Sequence, residues 1–85
     1  MIHITFYTKA KCSLCDEALS LVELLINDYS CTLEIRDIYS NEEWLEKYHL
    51  SIPVISVDGI ELNCEQISFE SLDATFREAQ KKHKA

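Results

Sequence analysis

Glycine and proline are almost missing from this sequence. Its 85 residues hold one of each, Gly59 and Pro53. Few places remain for forced turns, so both positions carry information. Basic residues are scarce as well: 8 Lys and Arg stand against 15 Asp and Glu, a net charge of -7. Nucleic-acid binding rests on Lys and Arg contacts to phosphate, so that balance argues against such a partner. Lys81, Lys82 and Lys84 gather at the C-terminus, but three lysines fit a helix end whose dipole favours cations better than a basic patch. Long hydrophobic runs are missing too. The opening MIHITFYTKA has no basic leader and is too short in apolar length for a signal peptide or a membrane span. The chain is therefore expected in a reducing cytoplasm, without a membrane partner, where structural disulfides are not the rule.

What is present suits an ordinary globular protein, with 47% hydrophobic and 27% charged residues. A chain of this length buries roughly 60% of its unfolded surface, enough for one modest core. Residues 1–85 are expected to form a single domain, without linkers, repeats or low-complexity tracts, and to act as a monomer. Four cysteines in a small cytosolic chain then point to catalysis or metal binding rather than to staples.

The pattern along the chain gives an order of elements. IHITFY, residues 2–7, is β-branched and aromatic and reads as a strand. Leu14, Ala18, Leu21, Val22 and Leu25 recur at helical spacing over about residues 13–28. Leu19, Leu24 and Ile26 widen that stripe, which predicts burial on more than one side. CTLEIRDI alternates with period two, a second strand, and Ser40 with Glu43 is expected to cap a short helix EEWLEKYH packed through Trp44, Leu45 and Tyr48. VISV and IELNC flank Asp58-Gly59, a favoured hairpin turn. Ser68 can cap a last helix carrying Phe69, Leu72 and Phe76 on one face. The order β-α-β-α-β-β-α predicts an α/β domain: a four-stranded mixed sheet, its first two strands parallel, with helices on both faces.

Cys12 and Cys15 stand where the first strand gives way to the first helix. In open α/β sheets, sites form beyond the carboxyl ends of strands. A helix N-terminus offers unpaired N–H groups and partial positive charge, which favour a thiolate, and Lys9 and Lys11 push the same way. Cys12, nearer solvent, would attack a disulfide, and the more buried Cys15 would resolve the mixed disulfide. Three other readings stay open at this level. Zinc would need Cys31, Cys64, His3 or His49 to complete four ligands. A soft-metal carrier would use a loop Cys-x-x-Cys. Inert buried cysteines would act as small hydrophobes.

FYTKAKCSLCDEA followed by SIPVISVDG resembles the glutaredoxin-like branch of the thioredoxin superfamily, and the likeness spans nearly the whole chain. It implies a thioredoxin-like fold and thiol–disulfide exchange at Cys12 and Cys15. It implies a cis Pro53 beside that pair and an Ile52 whose backbone N–H and C=O face the substrate groove. Lys9, Lys11, Ser13, Leu14, Ile52, Pro53 and Cys64 are the expected substrate-binding residues. Ser13 and Leu14 differ from the Pro-Tyr that glutaredoxins typically carry between their cysteines. Asn63 and Cys64 stand where the family typically has Gly-Gly, and Gln66 stands at or near a family Asp, which weakens the case for glutathione.

Cys64, at the pocket rim, could trap an oxidised Cys12, whereas Cys31 is expected in the core. Tyr7 is expected to wall the pocket, and His3, His49 and His83 to carry no catalytic duty. The leading reading is a thiol–disulfide oxidoreductase acting on a protein disulfide or a small thiol. It needs no metal or resident cofactor beyond an electron donor, glutathione or a thioredoxin-type reductase. The competing reading is a non-catalytic thioredoxin-fold module that binds a protein partner through its hairpin edge and Leu14.

Overall fold

The computed structural model describes residues 1–83, so Lys84 lies outside the described residues. Four strands and three helices follow in the expected order: β1 (Ile2–Thr8), α1 (Ser13–Ile26), β2 (Cys31–Asp37), α2 (Glu42–Tyr48), β3 (Val54–Val57), β4 (Ile60–Leu62) and α3 (Phe69–His83). The sheet order is β2-β1-β3-β4. β1 and β2 run parallel in unbroken register from Ile2 opposite Cys31 to Thr8 opposite Asp37. β3 lies antiparallel to β1, and β4 antiparallel to β3. The β3–β4 turn places Asp58 at φ 50 and Gly59 at φ 90. A two-residue turn of this kind needs positive φ at both central positions, which explains where the single glycine is spent.

Period-two alternation divides the sheet into two unlike faces. On one, Ile2, Ile4 and Phe6 of β1 and Ile55 and Val57 of β3 lie under Ala18, Val22 and Leu25 of α1 and Leu72, Phe76 and Ala79 of α3. On the other, Tyr7 and Val54 pack with Ile38 and Tyr48, flanked by Trp44 and Leu45 of α2. Helices thus cover both faces.

Several local expectations are corrected. Ser40 does not cap α2. It closes a 3-10 turn (Ile38–Ser40), its hydroxyl donating to the Asp37 carbonyl at 2.6 Å. Asn41 is the cap, and its Oδ1 accepts from the Glu43 and Trp44 N–H groups at 2.9 and 3.3 Å. A short side chain immediately before the first helical turn reaches those N–H groups, whereas Ser40 stands one residue too early. β4 stops at Leu62, short of Cys64, because Asn63 Oδ1 accepts from the N–H groups of Glu65 and Gln66 and turns the chain. Leu24 is 65% exposed and Phe69 47% exposed, so neither joins the core. Ser68 does cap α3, in a reciprocal pair: Ser71 N–H donates to Ser68 Oγ at 3.1 Å and Ser68 N–H to Ser71 Oγ at 2.9 Å.

Candidate functional site: a cysteine pair at the mouth of the first helix

β1 delivers the chain to the carboxyl edge of the sheet, and Lys11, at φ 55, turns it into α1. Cys12 then occupies the N-cap of α1 in extended backbone, φ -121 and ψ 104. A cap residue here is ordinarily a side-chain oxygen acceptor. In this chain the acceptor is sulfur: the Cys15 N–H donates to Cys12 Sγ at 3.1 Å. The Cys12 carbonyl accepts from the Asp16 N–H at 3.0 Å and starts the helical ladder. Cys12 and Cys15 are joined as a disulfide with their Cα atoms 5.1 Å apart. Cys15 is 2% exposed and packs in the core under α1, while Cys12 is half-buried. The two sulfurs therefore differ in access as the exchange reading requires.

The Ile52–Pro53 bond is cis, as the resemblance implied. Pro53 is buried and, with Leu14, Glu17, Ala18, Leu21, Cys64 and Ile67, lines a shallow cavity of about 100 Å³. The structure thus gathers three of the expected site residues, Leu14, Pro53 and Cys64, into one hollow beside the disulfide-bearing helix turn. Leu14 is 58% exposed, an apolar side chain held at the surface next to the pair. Lys9, Lys11 and Ser13 are exposed and lie outside the cavity lining.

Two expectations are overturned by neighbouring bonds and packing. Ile52 does not offer a free N–H, because that group donates to the Tyr48 carbonyl at 3.1 Å. The tight exit from α2, where Ser51 N–H also donates to Tyr48 at 2.8 Å, claims it. Tyr7 does not wall the pocket. Its place in β1 is out of phase with Phe6, so its ring falls on the opposite face, stacked on Tyr48 with centroids 4.2 Å apart.

Four lining residues were missed from the sequence as site residues: Glu17, Ala18, Leu21 and Ile67. Leu14, Glu17, Ala18 and Leu21 follow one ridge at helical spacing from Cys15's neighbour, which is the signal that could have found them. Cys64 sits against the loop that carries Pro53, its N–H donating to the Ser51 carbonyl at 3.0 Å. Cys31 is half-buried, with its thiol donating weakly to the Ile26 carbonyl at 3.7 Å, and burial raises its pKa. Among the described residues, no group of three or more His, Cys, Asp or Glu gathers into a metal-binding cluster.

Comparison with known proteins bears on this geometry. The model of the family described as Glutaredoxin-like domain (DUF836) matches residues 3–77. The chain belongs to that glutaredoxin-like family. Among solved structures, a mutant thioredoxin from Halobacterium salinarum NRC-1 superposes with TM-score 0.74 at 15% identity, over 93% of this chain and 74% of that one. The oxidised thioredoxin of Plasmodium falciparum gives 0.68 at 17% identity, over 93% and 81%. A structure described only as a malarial protein gives 0.68 at 17% identity, over 93% and 97%. At such identities the likeness establishes the thioredoxin-like fold of this glutaredoxin-like chain. Membership of the glutaredoxin-like family, with the paired Cys12 and Cys15, supports a function of redox type.

Proposed function

We propose that this glutaredoxin-like protein is a thiol–disulfide oxidoreductase whose working pair is Cys12 and Cys15. The observation that carries the reading is the N-cap sulfur: one pair member accepts a backbone N–H at the open end of α1, bonded to a second sulfur buried behind it. In the reduced protein the same N–H and the helix dipole favour Cys12 as thiolate. That thiolate attacks one sulfur of a substrate disulfide, forming a mixed disulfide and expelling the other substrate sulfur as thiolate. Cys15 thiolate then attacks Cys12 Sγ, closing the internal disulfide and releasing the second substrate thiolate. Two electrons pass to the substrate, whose thiolates take up protons. A thiol reductant, small or protein-bound, restores the pair.

The cavity shapes the choice of substrate. Its walls are apolar apart from Glu17, so it suits an uncharged side chain flanking a polypeptide disulfide. A carboxylate-rich thiol such as glutathione meets the Glu17 charge there, and Asn63 and Cys64 add bulk where the family typically has Gly-Gly. The working compartment is the cytoplasm in this reading. Parallel assays of reduction of a peptide disulfide and of a glutathione mixed disulfide test it. Faster turnover of the peptide is expected, and Cys12→Ser abolishes both. The exposed Leu14 favours one competing reading, a partner-binding module with little turnover. A reduced protein that turns over neither substrate would support that module.

A further inference from the structure

The two edges of the sheet are unlike. β4 is three residues long, a short edge of the kind that resists pairing. β2 is seven residues long, carries no Pro, Lys or bulge, and among the described residues has no strand on its outer side. Ile35 on this edge is 54% exposed. Such an edge is a template for another strand.

We infer that β2 pairs antiparallel with β2 of a second copy, about a twofold axis at Ile35, joining two sheets into one. The charge pattern selects both occupant and register. Residues directly opposite in an antiparallel pair point to the same face, so the axis must fall on a residue rather than between two. Centred on Glu34 or on Arg36, the pairing sets like charges against each other. Centred on Ile35, it sets Ile35 against Ile35 of the second copy on one face. On the other face it sets Glu34 against Arg36 of the second copy, twice over. Glu34 and Arg36 already form an ion pair within one chain, so the dimer completes a square of alternating charge. The outer rungs oppose Leu33 to Asp37, whose carboxylate is turned back to accept the Tyr39 N–H at 2.9 Å. An isologous interface follows. The net charge of -7 on each copy opposes association, but beyond about 8 Å it is screened at physiological ionic strength. The monomer expected from the sequence gives way to a dimer in this inference.

Sedimentation velocity across a concentration series is the test, with circular dichroism confirming the fold of each variant. Wild type is expected to shift from monomer to dimer as concentration rises, and Ile35→Lys to lose the shift. Glu34→Arg and Arg36→Glu are each expected to be monomeric alone, and to form a heterodimer when mixed, because each supplies the charge the other lacks. Should Arg36→Glu fail to fold, Ile35→Lys and Glu34→Arg alone still decide the matter. A wild type that stays monomeric overturns the inference. So does a dimer that survives Ile35→Lys or Glu34→Arg unchanged, the outcome expected of an axis at Leu33 or of another surface.

Discussion

The two faces of the sheet are built on different physics. Under α1 and α3, the packing is apolar and its inner residues are almost wholly buried: Val22, Ile55, Val57, Leu72 and Phe76 are all at 0% exposure. Under α2, the packing is aromatic and ionic. Tyr7 stacks on Tyr48 and meets Trp44 edge-on at 6.0 Å, and Arg36 lies 4.8 Å over Trp44 while its Nη1 donates to the Tyr7 hydroxyl at 3.0 Å. The Tyr48 hydroxyl donates in turn to the Glu61 carboxylate. The apolar face carries the cysteine pair and its cavity, while among the described residues the aromatic face carries no thiol. The cysteine pair and the fully buried side chains lie on one side, and the directional contacts that tie α2 to β1, β2 and β4 lie on the other.

The largest expected effect is on chemistry. In the proposed reaction Cys12→Ser removes the attacking sulfur and is expected to abolish disulfide turnover, whereas Cys15→Ser is expected to leave attack intact and accumulate a mixed disulfide, detectable by intact mass. Neither touches the aromatic face, and both leave the circular dichroism of the fold in place. Should Tyr48→Phe abolish turnover as fully as Cys12→Ser, the division between faces would be wrong.

Next comes packing. Phe76→Ala empties a fully buried site on the apolar face and is expected to cost about 3–5 kcal/mol in urea unfolding. That is a large part of a typical domain stability of about 5–15 kcal/mol. Tyr48→Phe on the aromatic face removes one hydrogen bond and keeps the ring, for about 1 kcal/mol. A similar cost for the two variants would erase the contrast.

The aromatic face should also announce itself at high pH. Burial first, then the hydrogen bond to the Glu61 carboxylate, raises the Tyr48 pKa above its ordinary value. An unfolded tyrosine ionises near pH 10, so the stabilisation is fully present below about pH 10 and is lost as pH rises beyond it. Stability curves of wild type and Tyr48→Phe are expected to converge above that pH. Parallel curves would remove Tyr48 from the account.

The two ends of α2 and α3 give the smallest effects. Asn41→Ala removes the α2 cap and is expected to cost about 1 kcal/mol in thermal or urea unfolding. At the far end of the sheet, Asp58 Oδ1 accepts from the His3 N–H at 2.8 Å and Oδ2 faces His83 Nε2 at 2.7 Å. Burial alone would raise the Asp58 pKa, but these two partners outweigh it and lower the value. Its contribution is present above pH of about 4 and is lost as pH falls through the folded value. Asp58→Asn is therefore expected to flatten the acid limb of the stability curve and leave the alkaline limb alone.

The contrast between faces also explains what could be read from the sequence. Element order, the parallel first pair, the hairpin turn and the cysteine pair were all legible. Hydrophobic period, one Asp-Gly and one Cys-x-x-Cys are local signals that backbone geometry obeys. The aromatic face was not legible. Tyr7, Arg36, Trp44, Tyr48 and Glu61 lie on four different elements and meet only after folding; period two sets Tyr7 opposite to Phe6, but it does not say which of the two faces the thiols take. The site was legible in part. Leu14, Pro53 and Cys64 converge as expected, but the amide of Ile52 is consumed by the exit of α2, a bond decided by a turn rather than by a motif. Ser40 failed for the same reason, since capping depends on which residue the preceding turn leaves free.

The claim beneath all of this is that Cys12, once reduced, stands as a reactive thiolate at the mouth of α1. Alkylation of the reduced protein by iodoacetamide across a pH series, with the label located by peptide mass, measures it directly. Labelling at Cys12 with a midpoint clearly below about 8.5, the value of an ordinary thiol, is the expected result. A midpoint at or above that value, or label appearing first on Cys64 or Cys31, would contradict it.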